Sequence, residues 1–324
     1  MAQPFLYAHE RGSTSVIRGQ HRLLIHELMA KLPLVQADLE VRDWWEPSRV
    51  QEALSRQPRF VRPDVASLKR TVLCTVIPSL YFLGHVLPTC SGDEAVSDAG
   101  ASAVVCTIWA ALCLFALGAA ACRNPGVVPR ASDTAPASCP ARFLVVNGVQ
   151  VKQRWCSTCR VYRPLRSKHC SYCDRCVFRF DHHCTWLGNC VGLGNYRSFL
   201  LLVVTATLFF GHSSVITFKV ARQCLREASE ASVARRLIVA NGGKFLYAAY
   251  ALVMFLAFSI LLLYHLIIMA CNLTTNEHVR DYYMERNPFD ITCIENYRQV
   301  LCFPYGRSYR VDAGAAVDST REVE

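Results

Sequence analysis

The feature that most constrains the fold of this chain is a dense cluster of metal-binding residue types in residues 156–190. The segment reads CSTCRVYRPLRSKHCSYCDRCVFRFDHHCTWLGNC and holds seven cysteines and three histidines. Two cysteine pairs, Cys156/Cys159 and Cys170/Cys173, have the spacing with which two thiolates hold one tetrahedral zinc ion. Two closed zinc sites use eight ligands, so two of the ten residues are left for another role.

The surplus residues are expected in the four-residue run Asp181-His182-His183-Cys184. Neighbouring side chains on extended backbone point apart, so one histidine can face a metal while the other faces Cys184. A thiol beside an imidazole that a carboxylate orients is the arrangement that activates a cysteine nucleophile. The alternative is a plain zinc module in which all ten residues bind metal or fill space.

Hydropathy predicts a membrane α-helical protein. Four stretches of 18, 22, 20 and 27 residues contain no charged residue: 71–88, 101–122, 199–218 and 245–271. About 20 apolar residues cross a bilayer as a helix. The pattern therefore predicts four transmembrane helices, with the cysteine-rich double-zinc domain between helices 2 and 3.

The predicted organisation has five parts. They are a cytosolic N-terminal arm (1–70), transmembrane helices 1 and 2 with a short lumenal loop (71–122), a cytosolic zinc domain (123–198), transmembrane helices 3 and 4 (199–271) with a lumenal loop (219–244), and a cytosolic C-terminal region (272–324). Within the arm, residues 23–34 have helical apolar spacing, and Trp44-Trp45 could dock at a membrane interface. Asn147-Gly148, between two runs of β-branched residues, predicts a β-hairpin.

The distribution of basic residues predicts which parts face the cytosol. Arginines and lysines precede the first predicted span and recur through the zinc segment, whereas residues 91–100 contain only acidic charges. The positive-inside rule therefore places both termini and the zinc domain in the cytosol. The loop 219–244 is also basic, but the earlier segments give the stronger bias. We expect an integral multi-pass protein of the endomembrane system, in the Golgi or the endoplasmic reticulum, with the plasma membrane as the alternative.

Cysteine content and charge narrow the class of function. A reducing cytosol favours metal ligation and catalysis over disulfides for most of the 17 cysteines. The net charge of +10 suits a protein that lies against anionic lipids and handles a phosphorylated cofactor. Nucleic-acid binding is disfavoured, because the basic residues are interleaved with zinc ligands beside the predicted spans.

These motifs resemble the DHHC protein S-acyltransferases, or palmitoyltransferases. The resemblance lies in C-x2-C, R-P-x-R-x-x-H-C, C-x2-C, D-H-H-C, W and C-x-G-x-x-N, and it extends to the TTxE motif at 274–277 and to Asn296. Asn124-Pro125-Gly126 is similar to the family's DPG motif, with asparagine in place of aspartate. Thr185 departs from the proline that usually follows the DHHC run.

The resemblance implies a ligand set and a catalytic group. Two structural zinc ions would each be held by three cysteines and one histidine: Cys156, Cys159, His169 and Cys176 in one site, and Cys170, Cys173, His183 and Cys190 in the other. Cys184 and His182 stay free in this assignment. Cys184 would be the nucleophile, His182 its base, and Asp181 the group that orients His182.

The resemblance also implies the substrates. A long-chain acyl group, palmitoyl, would pass from acyl-CoA to Cys184 and then to cysteine thiols of membrane-associated proteins. Arg163, Arg166 and Lys168 are nominated for the CoA phosphates, with ordinary surface charge as the alternative. Trp186 and Phe209 are nominated for the acyl group, and the alternative for Phe209 is that it faces lipid.

Two other functions use part of the same pattern. A membrane-anchored zinc module that recruits proteins, such as a RING-like ligase scaffold, explains the metal ligands but not Asp181-His182 beside a spare Cys184. Thioester hydrolysis uses the same residues and differs only in the final acceptor.

Overall fold

The structure is a computed structural model, and it describes residues 47–87, 99–227, 231–283, 286–302 and 311–312. The predictions for residues 23–34 and for Trp44-Trp45 lie outside these described residues.

The first described segment contains one short helix and then a longer, irregular helical stretch that begins with α2. Helix α1 is Pro47–Ser55; α2 is Val65–Thr71, and it continues through a π-helical turn, Val72–Val76, into α3, Ile77–Tyr81, and a second π-helical turn, Phe82–Val86. Pro78 offers no N–H to the carbonyl of Cys74, and the hydroxyl of Tyr250 donates to that oxygen instead, at 2.7 Å. The segment predicted as the first span is therefore helical, with its regular hydrogen bonding interrupted.

Three long helices follow the membrane prediction closely. They are α4, Ala99–Cys122; α5, Tyr196–Glu227; and α6, Ala231–Ala270. Among the described residues, three helices are long and apolar enough to cross a membrane: Gly100–Cys122, Tyr196–Gln223 and Asn241–Ala270. Helix α5 packs against both α4 and α6. The membrane-helical class agrees with these three helices, whereas the first of the four predicted spans does not meet the same criterion.

The predicted loop 219–244 differs from the structure. Helix α5 runs to Glu227 and α6 begins at Ala231, so most of this stretch is helical. The two predicted spans are bounded by the charged residues Lys219 and Lys244, and the stretch between them is predicted as a loop. Arginine, leucine, alanine and glutamate are good helix formers, however, and a helix can continue beyond the apolar layer.

The segment between α4 and α5 consists of short antiparallel hairpins. Its strands are β1 Arg142–Val146, β2 Val149–Gln153, β3 Trp155–Cys156, β4 Val161–Tyr162, β5 Lys168–Cys170, β6 Arg175–Val177, β7 His182–Cys184 and β8 Asn189–Val191. They pair as β1/β2, β3/β4, β5/β6 and β7/β8. The predicted hairpin at Asn147-Gly148 is confirmed: both residues have positive φ, and Val146 pairs with Val149.

The chain after α6 returns to the hairpin segment. Helix α7 is Thr275–Val279, α8 is Cys293–Leu301, and the short strand β9, Val311–Asp312, pairs with β1. The side-chain amide of Asn296 donates to the carbonyl of Ala270 at 2.7 Å, and the hydroxyl of Tyr297 donates to that of Leu266 at 2.8 Å. These bonds hold α8 against the end of α6.

Hydrogen bonds to backbone groups attach the hairpin segment to the helix ends. Asn189 donates to the carbonyls of Ala121 and Arg123 at 2.9 and 3.0 Å. At the start of α2, the N–H of Asp64 donates to the carbonyl of Gly188 at 2.9 Å. A Cβ atom on Gly188 would lie 2.7 Å from backbone atoms of Asp64, so this approach requires glycine.

Asn124 stabilises the turn that follows α4. Its side-chain oxygen accepts from the N–H groups of Gly126 and Val127, as an aspartate could, at 2.9 and 3.1 Å. Its amide nitrogen also donates to the carbonyl of Pro58 at 3.0 Å. A carboxylate cannot make that second contact, so the departure from DPG adds a link between this turn and the segment before α2.

Candidate active site and metal centres

Eight cysteines and histidines form two groups of four that could each hold a metal ion. In each group the ligand atoms all lie within 4.8 Å of one another. The members are Cys156, Cys159, His169 and Cys176 in the first group, and Cys170, Cys173, His183 and Cys190 in the second. The resemblance implies these same two sets, and the structure brings each set together.

The hairpins explain how the two groups form. His169 pairs with Cys176 across β5/β6, and His183 pairs with Cys190 across β7/β8. Each hairpin thus supplies one histidine and one cysteine to a group, and the preceding C-x2-C turn supplies the other two thiols. His169 and Cys170 are adjacent on β5 and serve different groups, because successive side chains on a strand point to opposite faces.

The ligand spacing fits zinc. Bonds of about 2.3 Å to sulfur and about 2.0 Å to nitrogen in a tetrahedron put sulfur and nitrogen about 3.5 Å apart. The sulfur atoms of Cys156 and Cys159 both lie 3.5 Å from Nδ1 of His169. Those of Cys173 and Cys190 lie 3.4 and 3.6 Å from Nδ1 of His183. Both groups are closed sets of four protein ligands, which is typical of structural zinc sites.

The same alternation separates Cys184 from the metal groups. His183 faces its metal group, so His182 and Cys184, one position to either side on β7, face the opposite side of the strand. Nδ1 of His182 lies 2.7 Å from Oδ2 of Asp181. This contact leaves Nε2 of the imidazole for Cys184, which lies close enough for the two groups to shift each other's pKa.

The electrostatics favour a thiolate–imidazolium pair. Burial disfavours the charged imidazole, but hydrogen bonds with Asp181 and Cys184 raise the pKa of His182 to about 9. Burial likewise opposes ionisation of the thiol, but the hydrogen bond with His182 and its charge hold the pKa of Cys184 below its usual value. A cysteine in this environment forms the nucleophilic thiolate more readily than a free cysteine does.

Asp181 is fixed by the segment after α6. Its side chain is almost fully buried. Oδ1 accepts from the backbone N–H of Thr275 and Oδ2 from the Thr275 hydroxyl, both at 2.8 Å. Thr274 and Glu277 form a reciprocal capping box that begins α7 at this position. The 274–277 motif thus caps a helix, as its sequence alone indicates, and that helix start holds the carboxylate that orients His182.

An apolar cavity of about 440 Å³ lies among the helices beside Cys184. Cys184, Trp186 and Leu187 line it from the hairpin segment. The rest of the lining is mostly apolar side chains from the first helical segment and from α4, α5 and α6. Trp186 is half exposed, and its carbonyl accepts a hydrogen bond from Thr71. Cys184 thus opens directly into a space suited to an alkyl chain.

Phe209 lies in the lining of this cavity and does not face lipid. It is only 2% exposed, and its ring meets that of Phe82 edge to face, with centroids 6.0 Å apart. Phe82 in turn stacks on Tyr247 at 4.9 Å. Phe199, which also lines the cavity, contacts the ring of His182 at 5.3 Å. Phe209 is ten residues further along α5, or about 15 Å at the rise of an α-helix.

The three basic residues nominated for CoA occupy different environments. Arg166 is in a buried ion pair: its guanidinium donates to both carboxylate oxygens of Glu277, at 2.8 and 2.7 Å, and both side chains are under 4% exposed. It also donates to Asn272 and lies over the ring of Phe289. These contacts tie the hairpin segment to the C-terminal region, which is a structural role that the sequence pattern did not indicate.

All three nominated residues, Arg163, Arg166 and Lys168, line a second, polar depression of about 250 Å³, and Glu277 lines it beside Arg166. Lys152 and Arg154 also contribute to its lining, together with Asn276. Within the described part of the chain, the buried Nε of Arg163 has no hydrogen-bond partner, and neither does the hydroxyl of Ser167 in the same lining. Lys168 donates to Asn276 at 2.9 Å. The depression therefore offers several cations and two unmatched polar atoms.

Two further contacts lie near the site. Thr275 belongs to the recognised 274–277 motif, but the helix-capping pattern of that motif does not indicate that Thr275 bonds to Asp181. The hydroxyl of Tyr196 and Nδ1 of His265 are hydrogen-bonded at 3.0 Å beside Phe199. A histidine inside an apolar span is expected to act as a relay group or to hydrogen-bond to a neighbouring helix, and His265 of α6 does bond to Tyr196 of α5.

Comparison with known proteins points to one family. Residues 149–282 match the family model described as DHHC palmitoyltransferase. The chain is 31% identical over 268 residues to protein S-acyltransferase 8 of Arabidopsis thaliana, covering 74% of this chain and 64% of that protein. It is 29% identical over 284 residues to probable protein S-acyltransferase 7 of the same plant, covering 82% and 63%. It is 36% identical over 189 residues to palmitoyltransferase ZDHHC5-B of Danio rerio, covering 55% and 27%. The chain thus spans less than two thirds of the length of these relatives.

Proposed function

Because the chain belongs, through residues 149–282, to the DHHC palmitoyltransferase family, we propose that it is a protein S-acyltransferase. It moves a long-chain acyl group, palmitoyl, from acyl-CoA through a thioester on Cys184 to cysteine thiols of membrane-associated proteins. The observation that carries this proposal is the position of Cys184, which lies beside His182 and lines the apolar cavity.

The proposed reaction has two thioester exchanges. In the first, the Cys184 sulfur attacks the carbonyl carbon of the acyl-CoA thioester, the carbon–sulfur bond to CoA breaks, and the imidazolium of His182 supplies the proton that CoA takes up. In the second, the thiol of the protein substrate gives its proton to His182, and its sulfur attacks the carbonyl carbon of acyl-Cys184. The carbon–sulfur bond to Cys184 breaks, which restores the Cys184 thiolate beside the imidazolium of His182. Asp181 holds His182 in the required tautomer throughout. The two zinc ions are structural, since four protein ligands leave no open position for a substrate.

The cavity supplies binding energy for the acyl chain. Burial contributes about 0.8 kcal/mol per CH₂, so about fourteen methylenes contribute about 11 kcal/mol. The cavity is lined almost wholly by apolar groups, and Cys184 and Trp186 belong to its wall. Phe209 and Phe82, whose rings meet edge to face, would close it beyond the chain end and limit the length that fits.

The polar depression is the proposed site of the CoA phosphates. Arg163 and Lys168 would bind them, with Lys152 and Arg154 as additional cations. Arg163 brings a buried Nε that lacks a partner in the described structure. Arg166 would act indirectly here, because its guanidinium is engaged by Glu277. Asn276 lines the depression and follows Thr275, the residue bonded to Asp181, so this site adjoins the catalytic group.

We further propose that the first helical segment is a fourth membrane span. Its side chains Leu73, Ile77 and Leu80 are more than half exposed, as lipid-facing residues would be, while Phe82 packs inward. The charge pattern supports a cytosolic zinc domain and active site, with residence in the endomembrane system.

The decisive experiment is an acylation assay on the purified full chain. We expect incubation with labelled palmitoyl-CoA to give a label on Cys184 that hydroxylamine removes, and Cys184→Ser to abolish it. Cys139→Ser, in the linker before β1, is the matched control. A chain that binds zinc but takes up no label would favour the recruitment scaffold. A label that passes only to water, with no transfer to a cysteine-containing substrate protein, would favour thioester hydrolysis.

A further inference from the structure

The turn between β7 and β8, residues 185–188, directly follows the proposed nucleophile. Cys184 is the last residue of β7 and pairs with Asn189, the first residue of β8. The N–H of Gly188 donates to the carbonyl of Cys184 at 2.9 Å, and Gly188 has a φ of 63°, which lets the chain turn back into β8. The 185–188 turn is therefore fixed at both ends, and the N–H groups of its first three residues follow the reacting sulfur directly along the chain.

Two N–H groups of this turn act on the sulfur of Cys184. Burial raises the pKa of this thiol, but His182 lowers it, and the backbone N–H groups of Leu187 and Trp186 lower it further, so the pKa lies below its usual value. The next N–H in the turn belongs to Thr185, which is exposed. Within the described part of the chain, neither the N–H nor the hydroxyl of Thr185 forms a hydrogen bond.

The side-chain donors on either side of this turn are already engaged. The hydroxyl of Thr71 donates to the carbonyl of Trp186, and the amide of Asn189 donates to two backbone carbonyls at the end of α4. Attack on a thioester places negative charge on the carbonyl oxygen, and this charge needs hydrogen-bond donors about 2.7–3.1 Å away. Backbone N–H groups of the 185–188 turn remain available for this purpose.

The cavity brings the thioester carbonyl to the same turn. Cys184, Trp186 and Leu187 line the apolar cavity, whereas Thr185 is exposed outside its lining. An acyl chain that fills the cavity while its carbonyl carbon contacts the sulfur of Cys184 therefore has its carbonyl oxygen at the boundary between the cavity and the exposed surface. The first N–H of the turn lies at this boundary.

We propose that the backbone N–H groups of the 185–188 turn form the oxyanion hole of the acyl transfer, and that the N–H of Thr185 is one of its donors. The assignment rests on the proposed function. As the sulfur of Cys184 attacks the thioester carbon, the π electrons of the carbonyl move to its oxygen, and the turn donates to that oxygen. When the carbonyl forms again, the carbon–sulfur bond to CoA breaks and the CoA sulfur takes the proton of the His182 imidazolium. Transfer to the substrate cysteine passes through the same kind of oxyanion, so the turn serves both steps.

The residue type at position 185 sets the number of donors in the turn. Proline usually follows the DHHC run in the family, and proline has no backbone N–H. Thr185 supplies that N–H, so this chain has one donor more than a chain with proline there. Proline is well tolerated at the start of a turn. The substitution Thr185→Pro therefore removes the donor without breaking the turn.

Single-turnover acylation of the purified full chain by labelled palmitoyl-CoA tests the donor. Thr185→Pro should load Cys184 about tenfold or more slowly than the wild type, because it loses one hydrogen bond to a charged oxygen. The palmitoyl-CoA concentration that gives half the maximal rate should change little, since the oxyanion forms only during the reaction. The matched control is Thr185→Val, which removes the hydroxyl and keeps the N–H, and it should be slowed far less. Equal slowing of both variants, or loading of Thr185→Pro at the wild-type rate, would overturn the assignment.

Alkylation of Cys184 by iodoacetamide separates an oxyanion donor from a structural role. This reaction at a saturated carbon forms no oxyanion, so Thr185→Pro should be alkylated at close to the wild-type rate and should contain as much zinc as the wild type. If acylation and alkylation fell by the same factor, the thiolate or the turn itself would have changed, and the assignment would be wrong.

A trifluoromethyl ketone with a sixteen-carbon chain tests the same donor without acyl transfer. The sulfur of Cys184 adds to its carbonyl carbon and leaves a stable oxyanion, and the adduct protects the sulfur from iodoacetamide. The ketone concentration needed for protection should rise about tenfold in Thr185→Pro and far less in Thr185→Val. Equal protection of both variants would refute the assignment. A wild-type chain that took up no label from palmitoyl-CoA would refute the proposed function, and the ketone measurement would still decide the donor.

Discussion

The carboxylate of Asp181 receives two hydrogen bonds from Thr275, one from its backbone N–H and one from its hydroxyl, each 2.8 Å long. The two residues are 94 positions apart in the chain. Asp181 also binds Nδ1 of His182. Thr275 is therefore a positioning residue, which acts on Cys184 through the carboxylate and the imidazole.

We expect Thr275→Val to slow acylation of Cys184, and Thr275→Ser to restore it. A hydrogen bond to a charged group contributes about 1.5–3 kcal/mol, and 1.4 kcal/mol corresponds to tenfold in rate, so the loss should be about tenfold or more. The readout is the rate of Cys184 alkylation as a function of pH. Loss of Asp181 orientation should lower the pKa of His182 and move this profile, whereas simple destabilisation would reduce the amount of folded protein without moving it.

Cys184→Ser should abolish the acyl-enzyme and leave the zinc content unchanged. Cys184 faces away from both metal groups on β7, and neither group includes it. Metal analysis of purified wild-type and variant protein checks the second half of this expectation. A variant that contained less zinc than the wild type would place Cys184 among the ligands and contradict the division of the ten residues.

The adjacent histidines should respond differently to substitution. His182→Ala should remain folded with full zinc content and lose acylation, because only the base is removed. His183→Ala should lose zinc and destabilise the hairpin segment, because metal binding supplies much of the folding free energy of such small units. Zinc content and thermal unfolding distinguish the two. Equal zinc loss in both variants would refute the assignment.

The local parts of the site could be predicted from the sequence, and the distant contacts could not. The C-x2-C spacing indicates two zinc-binding pairs, the resemblance implies the complete ligand sets, and both depend on patterns that lie within residues 156–190. The ion pair between Arg166 and Glu277 joins residues 111 positions apart, and a single sequence carries no record of such pairs. Arg166 therefore looked like its neighbours Arg163 and Lys168, although its environment is quite different. Likewise, the charged residues of 219–244 predict a loop, whereas helices α5 and α6 both extend into this stretch, in agreement with its helix propensity.

The two neighbouring arginines give the next test. Arg166→Ala should lower stability by about 3–5 kcal/mol, because it leaves the carboxylate of Glu277 buried without its partner. Arg163→Ala should leave thermal unfolding nearly unchanged and raise KM for palmitoyl-CoA more than it lowers kcat. Arg56→Ala, which removes an exposed ion pair with Glu52, is the matched control for both measurements. An unchanged KM in a folded Arg163→Ala variant would remove Arg163 from the CoA site.

Acyl-chain length should depend on the aromatic pair formed by Phe209 and Phe82. Phe209 is buried in the cavity lining, about 15 Å along α5 from Phe199. A sixteen-carbon chain that is as extended as a stretched protein backbone is about 20 Å long. With its thioester just outside the apolar layer, such a chain would end near these rings. We therefore expect Phe209→Ala to lengthen the cavity and shift acylation from palmitoyl- toward stearoyl-CoA.

A competition assay with both acyl-CoA species measures this preference directly. Phe82→Ala should shift it in the same direction, because its ring packs edge to face against that of Phe209. Phe115→Ala is the matched control, since that ring on α4 is 68% exposed and does not line the cavity. If Phe209→Ala and Phe82→Ala both kept their activity and the wild-type chain-length profile, the closed end of the cavity would have to lie elsewhere.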